Sequence, residues 1–192
     1  MASAIIFATR STTEDQPNMR RLVEKAAQTF LLGVPVMVEA ASGGVIEWDG
    51  TTVATGIAGF SKEAASQLIT TGVPKTLTYG TVPNQSLAVN IPAGAPINDG
   101  RIGVETAIGS SIFHGQVGPS QTTAVTDVGK QYGMTKDTDG HWFVDKTKST
   151  VGTNTVVTVV KVDNQSPIIG AVPADPRGVQ FVVTSGAAQP VH

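Results

Sequence analysis

Cysteine is absent from this chain of 192 residues. The protein therefore has no disulfide framework, no thiolate zinc ligand and no thiol nucleophile, and its composition agrees with folding in a reducing cytoplasm. Aromatic residues are scarce as well, at 5% of the chain. No apolar run approaches the roughly 20 residues that a transmembrane helix needs, so the sequence predicts no membrane-spanning segment.

Charged residues are the second shortage. They make up 15% of the chain, whereas soluble domains average roughly 25%. The formal net charge is −2 and the 13 basic residues are scattered along the sequence. Proteins that bind nucleic acid or anionic membranes concentrate their basic residues in patches. We therefore expect neither nucleic acid nor a membrane among the partners of this protein.

Valine and threonine are the most abundant residues, and they occur beside 21 glycines and 11 prolines. Residues branched at Cβ favour the pleated surface of strands, and glycine and proline favour turns. The length fits one domain with a substantial core. The composition therefore predicts an all-β protein.

Short apolar or alternating runs between turn residues predict the individual strands. These runs cover residues 34–38, 45–48, 53–57, 87–91, 102–108, 141–146, 155–162 and 179–183. Asp49-Gly50 predicts a tight hairpin between the second and third runs, and Asp137 to Gly140 predicts a turn before residues 141–146. Ser61 is predicted to cap one short helix over residues 62–69. The run 155–162 is apolar on both faces, which indicates either a central covered strand or a strand paired with another subunit.

The N-terminal segment differs from the rest of the chain because it is polar in its middle and locally charged. We interpret residues 1–27 as an extended arm that precedes a β-rich domain of residues 28–192. A helix is the alternative, because Leu22, Val23 and Phe30 recur at roughly helical spacing.

Acidic and histidine residues give weak evidence of a metal site. Asp137 and Asp139 imitate the beginning of a calcium-binding loop, but Trp142 intrudes where further oxygen ligands would be needed. Tight turns select the same acidic residues, so we interpret both as turn residues. His114 and His141 lie beside apolar residues and are interpreted as strand residues rather than as metal ligands.

Hydrolytic chemistry has equally little support. No G-x-S-x-G run marks a nucleophile, and Ser110 and Ser111 are interpreted as residues at a strand end. Glu47 and Glu105 remain a possible glycosidase pair, since the sequence does not fix the distance between them. We assign no catalytic residue, no metal and no cofactor, and we expect the protein not to be an enzyme.

Four aromatic residues offer the best small-ligand hypothesis. Trp48, Tyr132, Trp142 and Phe143 could form a platform for a sugar or a base, but each lies next to strand or turn residues. Because large rings usually fill the interior of a domain, we favour core packing over a ligand platform.

Several segments resemble the capsid decoration proteins of tailed bacteriophages, which are also called cement or head-stabilising proteins. The C-terminal half contributes VGKQYGMTKDTDGHWFVDKTKS, TVVTVVKVD and VQFVVTSGAAQP. The N-terminal half contributes GVPVMVEAASGGVIEWDGTTVATGIAGFSKEA, which is similar to the run that builds a small barrel in that group. The resemblance covers most of the chain and depends on pattern and turn placement.

The resemblance implies a small β-barrel, tulip-like or sandwich domain that binds the outer surface of a virion. It implies the major capsid protein as partner, self-association with a trimer favoured and a dimer possible, synthesis in the host cytoplasm, and no catalytic role. A surface with few charges agrees with this, because it loses little hydration in a permanent contact. The residues expected to bind lie in the arm: Arg10, Thr12, Thr13, Glu14, Arg20 and Arg21.

Two other functions remain open at this stage. The first is a carbohydrate- or receptor-binding β-module of a phage fibre or tail, which predicts a shallow site near Trp48 or Trp142. The second is a small hydrolase, which predicts acidic side chains that converge in a cleft.

Overall fold

The computed structural model describes residues 6–11, 18–25, 27–51, 56–65, 73–78, 86–91, 101–107, 111–149, 155–163 and 177–184. These residues form thirteen strands, numbered β1 to β13 in chain order, and one 3₁₀ turn at Val125–Asp127. The predicted all-β fold class is confirmed.

A six-stranded antiparallel sheet holds most of the C-terminal half of the chain. From one edge to the other it contains β1 (Phe7–Ser11), β9 (Ser111–Gln116), β13 (Gly178–Val183), β12 (Val157–Val162), β10 (Gln131–Lys136) and β11 (Trp142–Asp145). The N-terminal strand β1 is thus an edge strand, and the last strand, β13, is an interior one.

A five-stranded antiparallel sheet holds most of the N-terminal half. Its order is β2 (Met19–Val23), β8 (Arg101–Thr106), β5 (Gly59–Ser61), β3 (Pro35–Val38) and β4 (Val45–Glu47). Strands β5 and β8 approach so closely that a Cβ on Gly59 would overlap the Glu105 carbonyl oxygen and lie 2.7 Å from Cγ1 of Val104. A separate hairpin pairs β6 (Val73–Thr78) with β7 (Ser86–Ile91).

Both large sheets curl. In the five-stranded sheet Glu24, directly after β2, forms a parallel bridge with Val45 of the opposite edge strand β4. In the six-stranded sheet Val117, directly after β9, forms a parallel bridge with Val144 of the edge strand β11. Each bridge therefore joins an edge strand of a sheet to the chain that follows a strand at or near the opposite edge. Both sheets are curled as a result, and the twist of the strands permits this.

The core joins the two sheets through aromatic rings. The ring of Phe60, on β5, lies 4.5 Å from that of Phe113 and 5.9 Å from that of Phe181, measured between centroids. All three side chains are fully buried. A second contact, at 5.3 Å, stacks Trp48 against Trp142 at a tilt. Burial of such rings contributes a large share of the stability of a domain of this size.

Of two local predictions, the hairpin at Asp49 stays a prediction and the helix cap at Ser61 is wrong. Asp49-Gly50 forms a turn, in which the Asp49 carboxylate accepts a hydrogen bond from the Thr51 amide at 2.9 Å. Strand β4 pairs with β3, and most of the run 53–57 that was predicted to complete the Asp49-Gly50 hairpin lies outside the described residues. Ser61 caps no helix, because it belongs to β5 and its hydroxyl bonds the Val34 amide and the Leu31 carbonyl. Residues 62–65 form bends and irregular chain rather than a helix, and residues 66–69 lie outside the described part.

The strand predicted at residues 155–162 is central, as β12 between β13 and β10. Its predicted burial on both faces holds only for its first half. Val157 and Val159 are buried, whereas Val160 is 39% exposed. The pairing with β13 is irregular between Val159 and Lys161, and Val160 and Lys161 are exposed there, whereas Val162 again packs against the core.

The segment interpreted as an arm is built into both sheets where it is described. Strand β1 pairs with β9, and strand β2 pairs with β8 along its whole length. The side chain of Ile6 belongs to the core and is 2% exposed. Where they are described, β1 and β2 are edge strands of the two sheets, and the domain boundary predicted at residue 27 stays a prediction.

Candidate functional site

Strand β2 is the described edge strand best suited to contact another protein. It pairs with β8 on one side and ends the order of the five-stranded sheet on the other. The amide of Thr106 donates to the Asn18 carbonyl at 2.8 Å, which fixes the register between β2 and β8. In an antiparallel pair, the N–H and C=O groups of every second residue point away from the partner strand. On β2 these groups point away from β8. Directly after β2 this edge is paired with β4, because Glu24 bridges Val45 and the Lys25 amide donates to the Val45 carbonyl at 3.1 Å, so within the described residues the template for another strand is limited to Met19–Val23.

Apolar side chains on β2 face solvent. Met19 is 60% exposed and Val23 is 53% exposed. Alternation places them on one face of the strand with Arg21, while Leu22 packs against the core from the other face. We call Met19, Arg21 and Val23 the β2 surface.

Charged groups surround the β2 surface. The guanidinium of Arg21 donates to the Glu63 carboxylate at 3.2 Å and to the Arg101 carbonyl at 2.8 Å. Lys62 pairs with the buried carboxylate of Glu105 at 2.7 Å. Exposed apolar groups with a polar border have the composition of a protein contact rather than of a catalytic site.

The six residues that the sequence predicted to bind a partner do not lie together in the structure where they are described. Arg10 lies on β1 in the six-stranded sheet, and Arg20 and Arg21 lie on β2 in the five-stranded sheet. Thr12, Thr13 and Glu14 lie outside the described residues. The described members therefore belong to edge strands of two different sheets, and their role in binding stays a prediction.

Sequence reasoning missed Met19 and Val23 as surface residues. The signal was the run Met19–Val23, in which Met19, Arg21 and Val23 alternate with Arg20 and Leu22. A strand with arginines on both faces cannot bury both faces, so the exposure of Met19 and Val23 could have been predicted from this pattern.

The histidines considered as metal ligands lie beside different carboxylates. His114 Nε2 is 3.2 Å from Asp163, and His141 Nδ1 is 3.7 Å from Asp137. Asp137 also accepts hydrogen bonds from the amides of Asp139 and His141, which confirms its interpretation as a turn residue. Within the described residues, no three histidine or acidic side chains group in a way that could hold a metal ion.

The acidic residues considered for glycosidase chemistry have separate structural partners. Glu47 accepts hydrogen bonds from Lys136 at 2.8 Å and from the Trp142 indole at 2.7 Å. Glu105 is 2% exposed and pairs with Lys62. Both carboxylates are therefore engaged in ion pairs within the fold.

The aromatic residues form no exposed platform. Trp48, Tyr132 and Trp142 are between 3% and 5% exposed, so the interpretation as core residues is confirmed for them. Phe143 is half-buried and packs over Gly118, where an added Cβ would lie 3.0 Å from the ring. These rings therefore offer no stacking face to a sugar in the described structure.

Among the described residues there is no helix of the length and hydrophobicity needed to traverse a bilayer. No family model, no curated protein and no solved structure matches the chain.

Proposed function

We propose that this protein is a decoration protein that binds the outer surface of a phage capsid and stabilises the shell through protein contacts. The proposal starts from the sequence resemblance to capsid decoration proteins. The observation that carries it further is the β2 surface, an edge strand with Met19 and Val23 exposed to solvent. Adding a strand from a capsid subunit to this edge would bury both side chains and satisfy main-chain groups together.

The low charge of the chain supports a permanent contact. Only 15% of the residues are charged, so few ions lose their hydration when a large surface is covered. Apolar burial stabilises a contact by roughly 25 cal/mol per Å². Many copies, each bound with modest affinity, would together hold a shell through avidity. Self-association, with a trimer favoured over a dimer, is part of the same proposal.

The rival carbohydrate-binding function lacks this kind of support. It places a site near Trp48 or Trp142, and both indole rings are buried against each other. The capsid contact is therefore the function that we carry forward.

Cosedimentation with empty phage capsids tests the proposal. We expect the wild-type protein to pellet with capsids and the double variant Met19→Lys/Val23→Lys to remain in the supernatant, because two ammonium groups would be placed in an apolar contact. The matched control is Val125→Lys, which changes a valine that is 73% exposed on the 3₁₀ turn, far along the chain from β2.

Circular dichroism of all three proteins shows whether they remain folded, which we expect because every substituted side chain is exposed. Failure of the wild-type protein to bind capsids overturns the function. Equal binding by the double variant and the wild type overturns the role of β2. Sedimentation equilibrium of the wild type alone gives the oligomeric state, and a monomer at all concentrations contradicts the self-association.

A further inference from the structure

An open cleft lies at the base of the β10–β11 hairpin, on the opposite half of the chain from the β2 surface. It has a volume of about 520 Å³ and is lined by Gly129, Lys130, Gln131, Tyr132, Lys146 and Ser149. The backbone at its entrance is fixed to β12, because the Gly129 amide donates to the Val159 carbonyl at 2.8 Å and the Val159 amide donates to the Lys130 carbonyl at 3.0 Å. The cleft is therefore a feature of the sheet and not of a loose loop.

A buried carboxylate organises this cleft. Asp127 is 3% exposed and accepts hydrogen bonds from the Tyr132 hydroxyl at 2.7 Å, the Lys146 ammonium at 2.7 Å and the Ala124 amide at 2.8 Å. Burial raises the pKa of Asp127, but the bonds from Lys146, Tyr132 and Ala124 outweigh burial and lower it. The carboxylate is therefore ionised near neutral pH, and its charge is turned inward to three donors.

Tyr132 stays protonated in this arrangement. Burial and the hydrogen bond to Asp127 raise the pKa of Tyr132 to about 12. Its hydroxyl is a fixed donor to Asp127 and adds no negative charge to the cleft.

The remaining groups of the cleft are mainly donors. The Lys146 ammonium uses two of its three protons on Asp127 and on the Thr122 carbonyl, at 2.7 and 2.8 Å. The Lys130 ammonium lies 3.9 Å from Asp127, and its side chain is 55% exposed. Gln131 and Ser149 add an amide and a hydroxyl. Two ammonium groups thus face one carboxylate, which leaves the cleft with a positive excess.

We propose that this cleft binds a phosphate group. Lysine ammonium groups act as point charges and do not form the planar fork by which arginine binds a carboxylate. A tetrahedral oxyanion presents several oxygens in different directions, which suits donors that approach from Lys130, Lys146 and Ser149 separately. The phosphate is either free inorganic phosphate or a phosphate ester on a sugar, and the two share the same anchoring chemistry.

The test is a titration of the ¹⁵N-labelled full-length protein followed by NMR, at constant ionic strength. The ligands are inorganic phosphate, a hexose 6-phosphate, the same hexose without phosphate, and acetate. We expect saturable shifts of the Gly129, Lys130, Gln131 and Ser149 amides with the two phosphates and not with the others. Tighter binding of the hexose phosphate than of inorganic phosphate identifies the ester as ligand, and the reverse order identifies the free ion.

Substitution of Lys130 makes the test specific. Lys130→Gln is expected to weaken phosphate binding about fivefold, the effect of one charge at about 4 Å in a solvated site, and Lys130→Arg to retain most of it. The matched control is Lys161→Gln, which removes an exposed lysine of β12 outside the cleft lining and should leave the affinity unchanged. Lys130 is exposed, so its variants are expected to fold.

Phosphate shifts spread over lysines throughout the protein, or equal losses in the two glutamine variants, would show nonspecific ion binding and overturn the proposal. The outcome does not depend on the capsid function, since the cleft and the β2 surface involve different strands. A protein that binds capsids but not phosphate retains the first proposal and loses the second.

Discussion

The indole nitrogen of Trp142 donates a hydrogen bond to the carboxylate of Glu47 across 2.7 Å. Trp142 belongs to the edge strand β11 of the six-stranded sheet, and Glu47 belongs to the edge strand β4 of the five-stranded sheet. Lys136 binds the same carboxylate from the neighbouring strand β10 at 2.8 Å. One acidic side chain thus connects two strands of one sheet to the edge of the other.

Removal of this carboxylate is expected to destabilise the fold. Glu47→Ala leaves the buried indole N–H without its acceptor, and an unsatisfied buried donor costs about 1–3 kcal/mol. Urea unfolding followed by tryptophan fluorescence measures the loss. Glu63→Ala is the matched control, because it breaks an exposed pair with Arg21 that contributes at most about 1 kcal/mol. Equal losses in the two variants would mean that Glu47 does not connect the sheets.

The N-terminus is expected to contribute to the core rather than to form a separate arm. Ile6→Ala should lower the free energy of unfolding by about 2–5 kcal/mol, the usual cost of emptying a fully buried aliphatic site. Val23→Ala, at a position that is 53% exposed, should change it by about 0.5 kcal/mol or less. Thermal and urea unfolding of both variants check this. A neutral Ile6→Ala variant would restore the arm interpretation.

Acid stability is expected to depend on Asp145. Burial raises the pKa of Asp145, but hydrogen bonds from Thr147, Thr135 and Gln121 outweigh burial and lower it to about 2. The folded value lies below that of the unfolded chain, about 3.9. The stabilisation is therefore complete above about pH 4 and is lost as the pH falls through 2.

Unfolding free energies measured between pH 5 and pH 2 check the role of Asp145. The wild-type protein should lose stability steeply over this range, and Asp145→Asn should flatten the slope because residue 145 no longer titrates. Thr135→Val removes one donor, at 2.7 Å, while it keeps the carboxylate, and it should give an intermediate slope. Parallel curves for the three proteins would contradict the assignment.

Sequence patterns predicted several strands closely because their apolar residues recur with the period of a strand. Predicted residues 34–38, 102–108 and 179–183 correspond to β3, β8 and β13. The turn before β11 was also predicted. The Asp137 carboxylate accepts hydrogen bonds from the nearby amides of Asp139 and His141. These features depend on neighbours in the sequence, which is the information that periodicity carries.

The failures depend on contacts distant in the sequence. Ser61 has the local chemistry of a helix cap, but pairing of β5 with β3 and β8 fixed it in a strand. The cleft around Asp127 was not predicted, because Tyr132 and Lys146 reach this carboxylate only after β10 and β11 have formed a sheet.

Strands β1 and β2 find their partners β9 and β8 in the other half of the chain, and β13, an interior strand, is the last one. A ribosome therefore releases both N-terminal strands long before anything exists for them to pair with. The six-stranded sheet stays incomplete until Val183 has emerged. Such nonlocal pairing slows folding and exposes unpaired edges to aggregation in the meantime. Each nascent chain must therefore avoid aggregation until its C-terminal strands have been synthesised.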